Sequence, residues 1–150
     1  MPQVQLSLKG RALRLLGGRE HSRAELERKL GKYEEEPGQL VRVLDDLQAK
    51  GFISEQRVVD SVLHRRAQRL GAARIRQELQ AKGIDGELVS QALQQLRGTE
   101  VARAREVWMR KFDLPPQDAA ERGRQSRFLA ARGFGGEVIQ RVLGSSGEDD

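Results

Sequence analysis

Arginine is the residue type in this sequence with the most chemistry to offer. Arg65, Arg66 and Arg69 lie close together, Arg74 and Arg76 follow, and Lys82 comes soon after. A second group, Arg122, Arg124, Arg127 and Arg132, occupies one later stretch. A guanidinium is planar and donates paired hydrogen bonds, which suits phosphates and the carboxylates of a protein partner. Nine positions are therefore candidate contacts to an anionic partner: Arg65, Arg66, Arg69, Arg74, Arg76, Lys82, Arg124, Arg127 and Arg132. The competing use is internal. Glu78 and Glu121 could pair with some of these cations at the surface, and a cation near a helix C-terminus also suits the helix dipole.

The other reactive residue types are sparse. There is no cysteine, which excludes disulfides, thiolate catalysis and cysteine-held zinc and fits a reducing compartment. His21 stands just before a helix start, and His64 lies beside Arg65 and Arg66, where it should face solvent. Neither has a ligand-spaced partner, so no metal is expected. Glu34, Glu35 and Glu36 precede Pro37-Gly38, where acidic residues complement a helix start. Gly17-Gly18 and Gly135-Gly136 lack the strand and the Lys-Ser/Thr of a phosphate loop, and Ser145-Ser146 has no base nearby. No catalytic site and no cofactor are expected.

The net charge is +5 with a pI near 10.1. Residues 51–110 hold eleven Lys and Arg against seven Asp and Glu, whereas residues 111–150 hold six against seven. A basic surplus centred on the middle of the chain implies an anionic partner such as nucleic acid or a nucleoprotein. The start lacks the long apolar stretch of a secretory leader, and no apolar run reaches membrane-spanning length, so a cytoplasmic, membrane-free protein is expected.

Helices must position these residues, since strand alternation and hairpin turns are missing. Leu8, Ala12, Leu15 and Leu16 form a stripe that stops at Gly17-Gly18. Ser22 with Glu25 makes a capping box for a helix carrying Leu26 and Leu30. Pro37 suits the first turn of the next, which buries Leu40, Val43, Leu44 and Leu47 and stops at Gly51. Ser54 caps a helix with Val58, Val59, Val62 and Leu63, closed by Leu70-Gly71. Ile75 and Leu79 lie inside the following helix, which ends at Gly83. Asp85 caps another, stapled by Ile84 and Val89. Thr99 is expected to cap the helix of Val101, Ala104, Val107, Trp108 and Phe112. Pro115-Pro116 can begin the one carrying Phe128 and Leu129, and Val138, Ile139, Val142 and Leu143 complete the series.

The elements repeat. Leu30, Leu79 and Leu129 are 49 and 50 residues apart, and Leu44, Leu93 and Leu143 follow them in the same register. The expected fold is all-α: an elongated array of three tandem three-helix repeats, nine helices in all. The expected repeats are 1–52, 53–98 and 99–144, with a disordered acidic tail at 145–150. Such a period implies units that bury apolar faces partly against their neighbours, in one shared core.

Three blocks carry a family resemblance. Ala12 to Leu16, with Arg19 to Leu26 and Lys29-Leu30, is similar to the opening repeat of the bacterial RecX regulatory proteins. Leu70 to Leu79 through Lys82-Gly83-Ile84 resembles their second repeat, and Phe128-Leu129 with Arg132-Gly133-Phe134 and Ile139 their third. In this chain Tyr33–Gly38 stands where the second repeat has its Lys-Gly-Ile turn. The resemblance implies a non-enzymatic modulator, acting as a monomer, that binds the RecA–DNA filament. It further implies inhibition of recombinase, ATPase and coprotease functions in recombination and the SOS response, with some contact to DNA. Of the basic positions, Arg74, Arg76, Lys82, Arg127 and Arg132 match the family blocks. A helix-turn-helix reader of DNA, with Gln91, Gln94 and Gln95 on its recognition helix, is the alternative, and a scaffold for another helical partner is a third reading.

Overall fold

The computed structural model describes residues 5–144. In chain order the helices are α1 (Leu8–Gly18), α2 (Arg23–Leu30), α3 (Gln39–Ala49), α4 (Glu55–Arg66), α5 (Ala72–Ala81), α6 (Gly86–Arg97), α7 (Glu100–Lys111), α8 (Ala119–Ala131) and α9 (Gly136–Leu143). A 3-10 turn, Gly31–Tyr33, extends α2. No strand occurs among the described residues, and the helices group as α1–α3, α4–α6 and α7–α9, termed repeats 1, 2 and 3. The expected tail at 145–150 lies outside the described residues.

Local chemistry sets the helix starts. The Ser22 hydroxyl accepts the Glu25 backbone N–H, and the Glu25 carboxylate accepts that of Ser22, closing the capping box. Ser54 and Asp85 cap as the sequence predicts, and Asp118 caps α8. Three expectations need correction. Pro37 sits in a turn ahead of α3, whose N-cap is Gly38 at φ 85°; the Glu34 carboxylate reaches over and accepts the Leu40 N–H at 2.7 Å. The Thr99 hydroxyl donates to the Leu96 carbonyl at 3.2 Å and accepts Arg103 Nε at 3.1 Å, and no backbone N–H of α7 reaches it, so it does not cap α7. Pro115 and Pro116 stay in the α7–α8 loop, which is held by Gln125: its amide accepts from the Trp108 indole at 2.8 Å and donates to the Leu114 carbonyl.

Packing occurs within repeats, not across them. Leu26, Leu30, Leu44 and Leu47 centre the first core, Val62, Ile75 and Leu79 the second, Ala104 and Leu129 the third. The expected shared core is therefore replaced by three separate ones, because each repeat turns its apolar helix faces inward and meets its neighbour through polar groups.

Candidate partner surface at the repeat joints

The two joints use the same register. Setting Leu30 on Leu79 and on Leu129 places Ser22 on Gly71, Glu25 on Arg74, Lys82 on Arg132 and Gly83 on Gly133. At each joint the start of one repeat's middle helix meets the last turn of the next repeat's middle helix. Between repeats 1 and 2 the Ser22 hydroxyl donates to the Lys82 carbonyl at 2.6 Å, and Arg28 donates to the Ala81 carbonyl at 2.9 Å. Between repeats 2 and 3 the Gly71 N–H donates to the Arg132 carbonyl at 2.7 Å and the Ala73 N–H to Gly133 at 3.1 Å. Arg74 donates to the Ala131 carbonyl at 2.7 Å. Helix starts have spare N–H groups and helix ends spare carbonyls, so each satisfies the other and the dipoles run head to tail.

Close approach dictates glycine in the second joint. A Cβ on Gly71 would fall 2.5 Å from the Gly133 carbonyl carbon and 2.6 Å from the Phe134 nitrogen. Gly133 itself has φ 95°, and a Cβ there would meet the Arg74 nitrogen at 2.6 Å.

The first joint shares this close approach, since a Cβ on Gly83 would meet the Ala24 Cβ at 2.7 Å, and it carries charge in addition. Glu25, its side chain 9% exposed, receives Arg19 Nη2 at 2.9 Å and Lys82 Nζ at 3.2 Å. Burial pushes the Glu25 carboxyl up, but Arg19, the Ser22 N–H and Lys82 outweigh it and hold it at about 2. Next to it, buried His21 faces the Arg19 carbonyl through Nδ1 and Lys29 through Nε2. Burial lowers its pKa; the Arg19 and Lys29 charges add to this, while the Arg19 carbonyl and Glu25 oppose it.

Arginines from the first helix of each following repeat strengthen both joints. Arg57 reaches Glu20 at 2.8 Å and the Gly51 carbonyl at 2.7 Å. Arg103 donates to the carbonyls of Ala67 and Leu70 and pairs with Glu100, whose other oxygen accepts the Ala72 N–H.

The nine candidate contacts divide accordingly. Arg65 and Arg66 flank Glu78, at 3.9 and 3.1 Å. Lys82 and Arg74 are used inside the joints, with the Lys82 side chain 13% exposed. Arg132 stacks on the Phe128 ring at 3.8 Å and, with Arg69, Arg110 and Lys111, lines a groove of about 280 Å³ that no carboxylate enters. Arg76 lines a second groove at the same joint, of about 760 Å³, with Arg97 and Arg141; Glu100 and Glu137 also line it. Arg127 lines a third groove with Arg122, and Arg124 is exposed on α8.

The sequence thus brings out Arg69, Arg76 and Arg132 but leaves Arg97, Arg110, Lys111 and Arg141 unnoticed. Arg97 and Arg141 stand far apart and Arg110-Lys111 is one short pair, and only the joint brings them beside Arg69, Arg76 and Arg132. Among the described residues no three His, Asp or Glu side chains are placed to share an ion. No helix there is long and apolar enough to cross a membrane.

Comparison with known proteins accounts for this architecture. Family models match residues 9–47, 54–93 and 99–143, described as the first, second and third three-helix domains of RecX. The regulatory protein RecX of Leptothrix cholodnii is 58% identical over 139 residues, spanning 93% of this chain and 88% of that one. That of Ralstonia nicotianae is 45% identical, spanning 95% and 90%. The crystal structure of RecX from Lactobacillus salivarius shares the fold, with a TM-score of 0.77, 19% identity and coverage of 91% and 92%. The chain belongs to the RecX family of regulatory proteins.

Proposed function

We propose that this protein is a non-enzymatic, cytoplasmic regulator that binds the RecA–DNA filament as a monomer and lowers its recombinase, ATPase and coprotease output. Such a role belongs to recombination and the SOS response. The observation that carries this reading is the surface across the joint of repeats 2 and 3. Two groups of arginines drawn from both repeats, Arg69 with Arg132 and Arg76 with Arg141, flank one seam. A surface assembled across a seam recognises an anionic face longer than one repeat, as a filament presents. Family membership supports the same reading.

The test is strand exchange and ATP hydrolysis by RecA on single-stranded DNA. Wild-type protein should slow both, and no change at several-fold excess would refute the proposal. Arg76→Glu with Arg141→Glu reverses two side chains that have no hydrogen-bond or ion-pair partner among the described residues. That variant should need about tenfold more protein for the same effect, with helix content unchanged. Arg74 is unsuitable for this test, since reversing it would break the joint. A stand-alone reader of DNA sequence would use the exposed Gln91, Gln94 and Gln95 of α6. It would enrich a defined site from random oligonucleotides, which a filament regulator does not.

A further inference from the structure

We infer a separate single-strand nucleic-acid site at the outer end of repeat 1, formed by Arg11, Arg14, Lys29, Lys32 and Tyr33. There α1 and the end of α2 line an open groove of about 390 Å³ floored by Leu15 and Leu30, and no carboxylate lines it. None of the four cations has an ion-pair partner among the described residues, whereas Arg19, Arg23, Arg57, Arg66, Lys82 and Arg103 all do. The groove also occupies a particular place in the array. In register, Lys32 and Tyr33 stand where Ala81 and Lys82 form the first joint, but among the described residues no repeat packs on this end of repeat 1. Tyr33 replaces the joint residue and is 38% exposed.

The Tyr33 ring holds the cations in place without neutralising them. The Arg11 guanidinium carbon lies 3.8 Å from the ring centroid and Lys32 Nζ 5.2 Å from it. A ring quadrupole orients a cation yet leaves its full charge for a ligand. Arg11 and Arg14 are one turn apart, as are Lys29 and Lys32, which sets each pair about 5–6 Å apart at Cβ. Two such pairs on one groove suit successive phosphates of a strand. A stacked guanidinium and aromatic plane beside apolar Leu15 is the surface on which an unpaired base stacks, and an acidic peptide has no such group to place there.

In the filament reading this site would hold the strand while the joint surface meets protein. The binding itself needs no filament, so the test uses the full chain with a fluorescent oligothymidylate. Anisotropy should show binding that weakens steeply with salt. Arg14→Ala with Lys32→Ala, both exposed, should weaken it about tenfold at low salt and flatten the salt slope by about two. Tyr33→Ala should weaken binding and Tyr33→Phe preserve it, while Arg69→Ala with Arg110→Ala stays within about twofold of wild type. The inference falls if wild type does not bind, if the Arg14/Lys32 variant binds as wild type does, or if polyglutamate of equal charge displaces the strand equally well. Loss of regulation by wild type in the RecA assay, with oligonucleotide binding intact, would overturn the filament reading and leave this site standing.

Discussion

At the residue scale, Glu25 has the most to do. One carboxylate closes the α2 capping box, receives Arg19, and takes Lys82 from the next repeat. Its pKa falls from 4.5 to about 2 on folding, so its contribution is complete above the unfolded value and is lost as pH drops from 4.5 towards 2. At about 1.4 kcal/mol per unit, that is at most about 3.5 kcal/mol, reduced by solvent screening of the half-exposed Arg19. His21 acts in the same direction by a different route. Its folded pKa lies below 6.5, so acid charges the unfolded chain first and stability starts to fall once pH drops below that value. Urea unfolding across pH should therefore show two acid-driven losses. Glu25→Gln should shrink the lower one, to which Asp46, held low by Lys50 and Lys9, also contributes, while leaving the His21 step in place; an unchanged profile below pH 4.5 would show that Glu25 is not a linked group.

At the element scale, the helices follow from patterning and the joints do not. Leu79 repeats in register with Leu30 and Leu129, and all three are fully buried, each in its own repeat's core. Leu79→Ala should cost about 2–5 kcal/mol by thermal or chemical unfolding, and a cost under about 1 kcal/mol would mean that the site collapses around the alanine. This apolar register made the nine helices and their grouping legible, and Gly83 and Gly133 marked two helix ends through their positive φ. The polar register was opaque for a physical reason. Glu25 and Arg74 occupy the same joint position with opposite charge, because one meets an ammonium and the other a carbonyl. Gly71 reads in sequence as a helix stop, and only the backbone of Gly133 against it shows the demand for a missing side chain. The basic lining of the two joint grooves was legible in part: Arg69 and Arg76 stand in a sequence cluster, whereas Arg110 and Arg141 join them only through the fold. The repeat 1 groove was hidden because charge counting pointed to the middle of the chain, where much of the positive charge is paired or spent on carbonyls.

At the scale of the whole molecule, three closed cores joined by polar seams make stability a sum of repeats and nearest-neighbour terms. The joints can then be weakened without unfolding a repeat, and function should register the difference. Gly71→Ala drives a methyl into the Gly133 backbone and opens the seam, losing the two bonds from Gly71 and Ala73, each worth about 0.5–1.5 kcal/mol. The cores of repeats 2 and 3 do not include Gly71, so helix content should stay near wild type. Arg76 and Arg141 belong to different repeats and share a groove only while the seam is shut. Small-angle scattering of Gly71→Ala should therefore show a larger radius of gyration, and its effect on RecA should fall as far as that of the charge-reversal pair. Oligonucleotide binding at repeat 1, remote from this seam, should not change. A Gly71→Ala protein that regulates at full strength would show that the repeats engage the filament independently, and that the seam is only a tether.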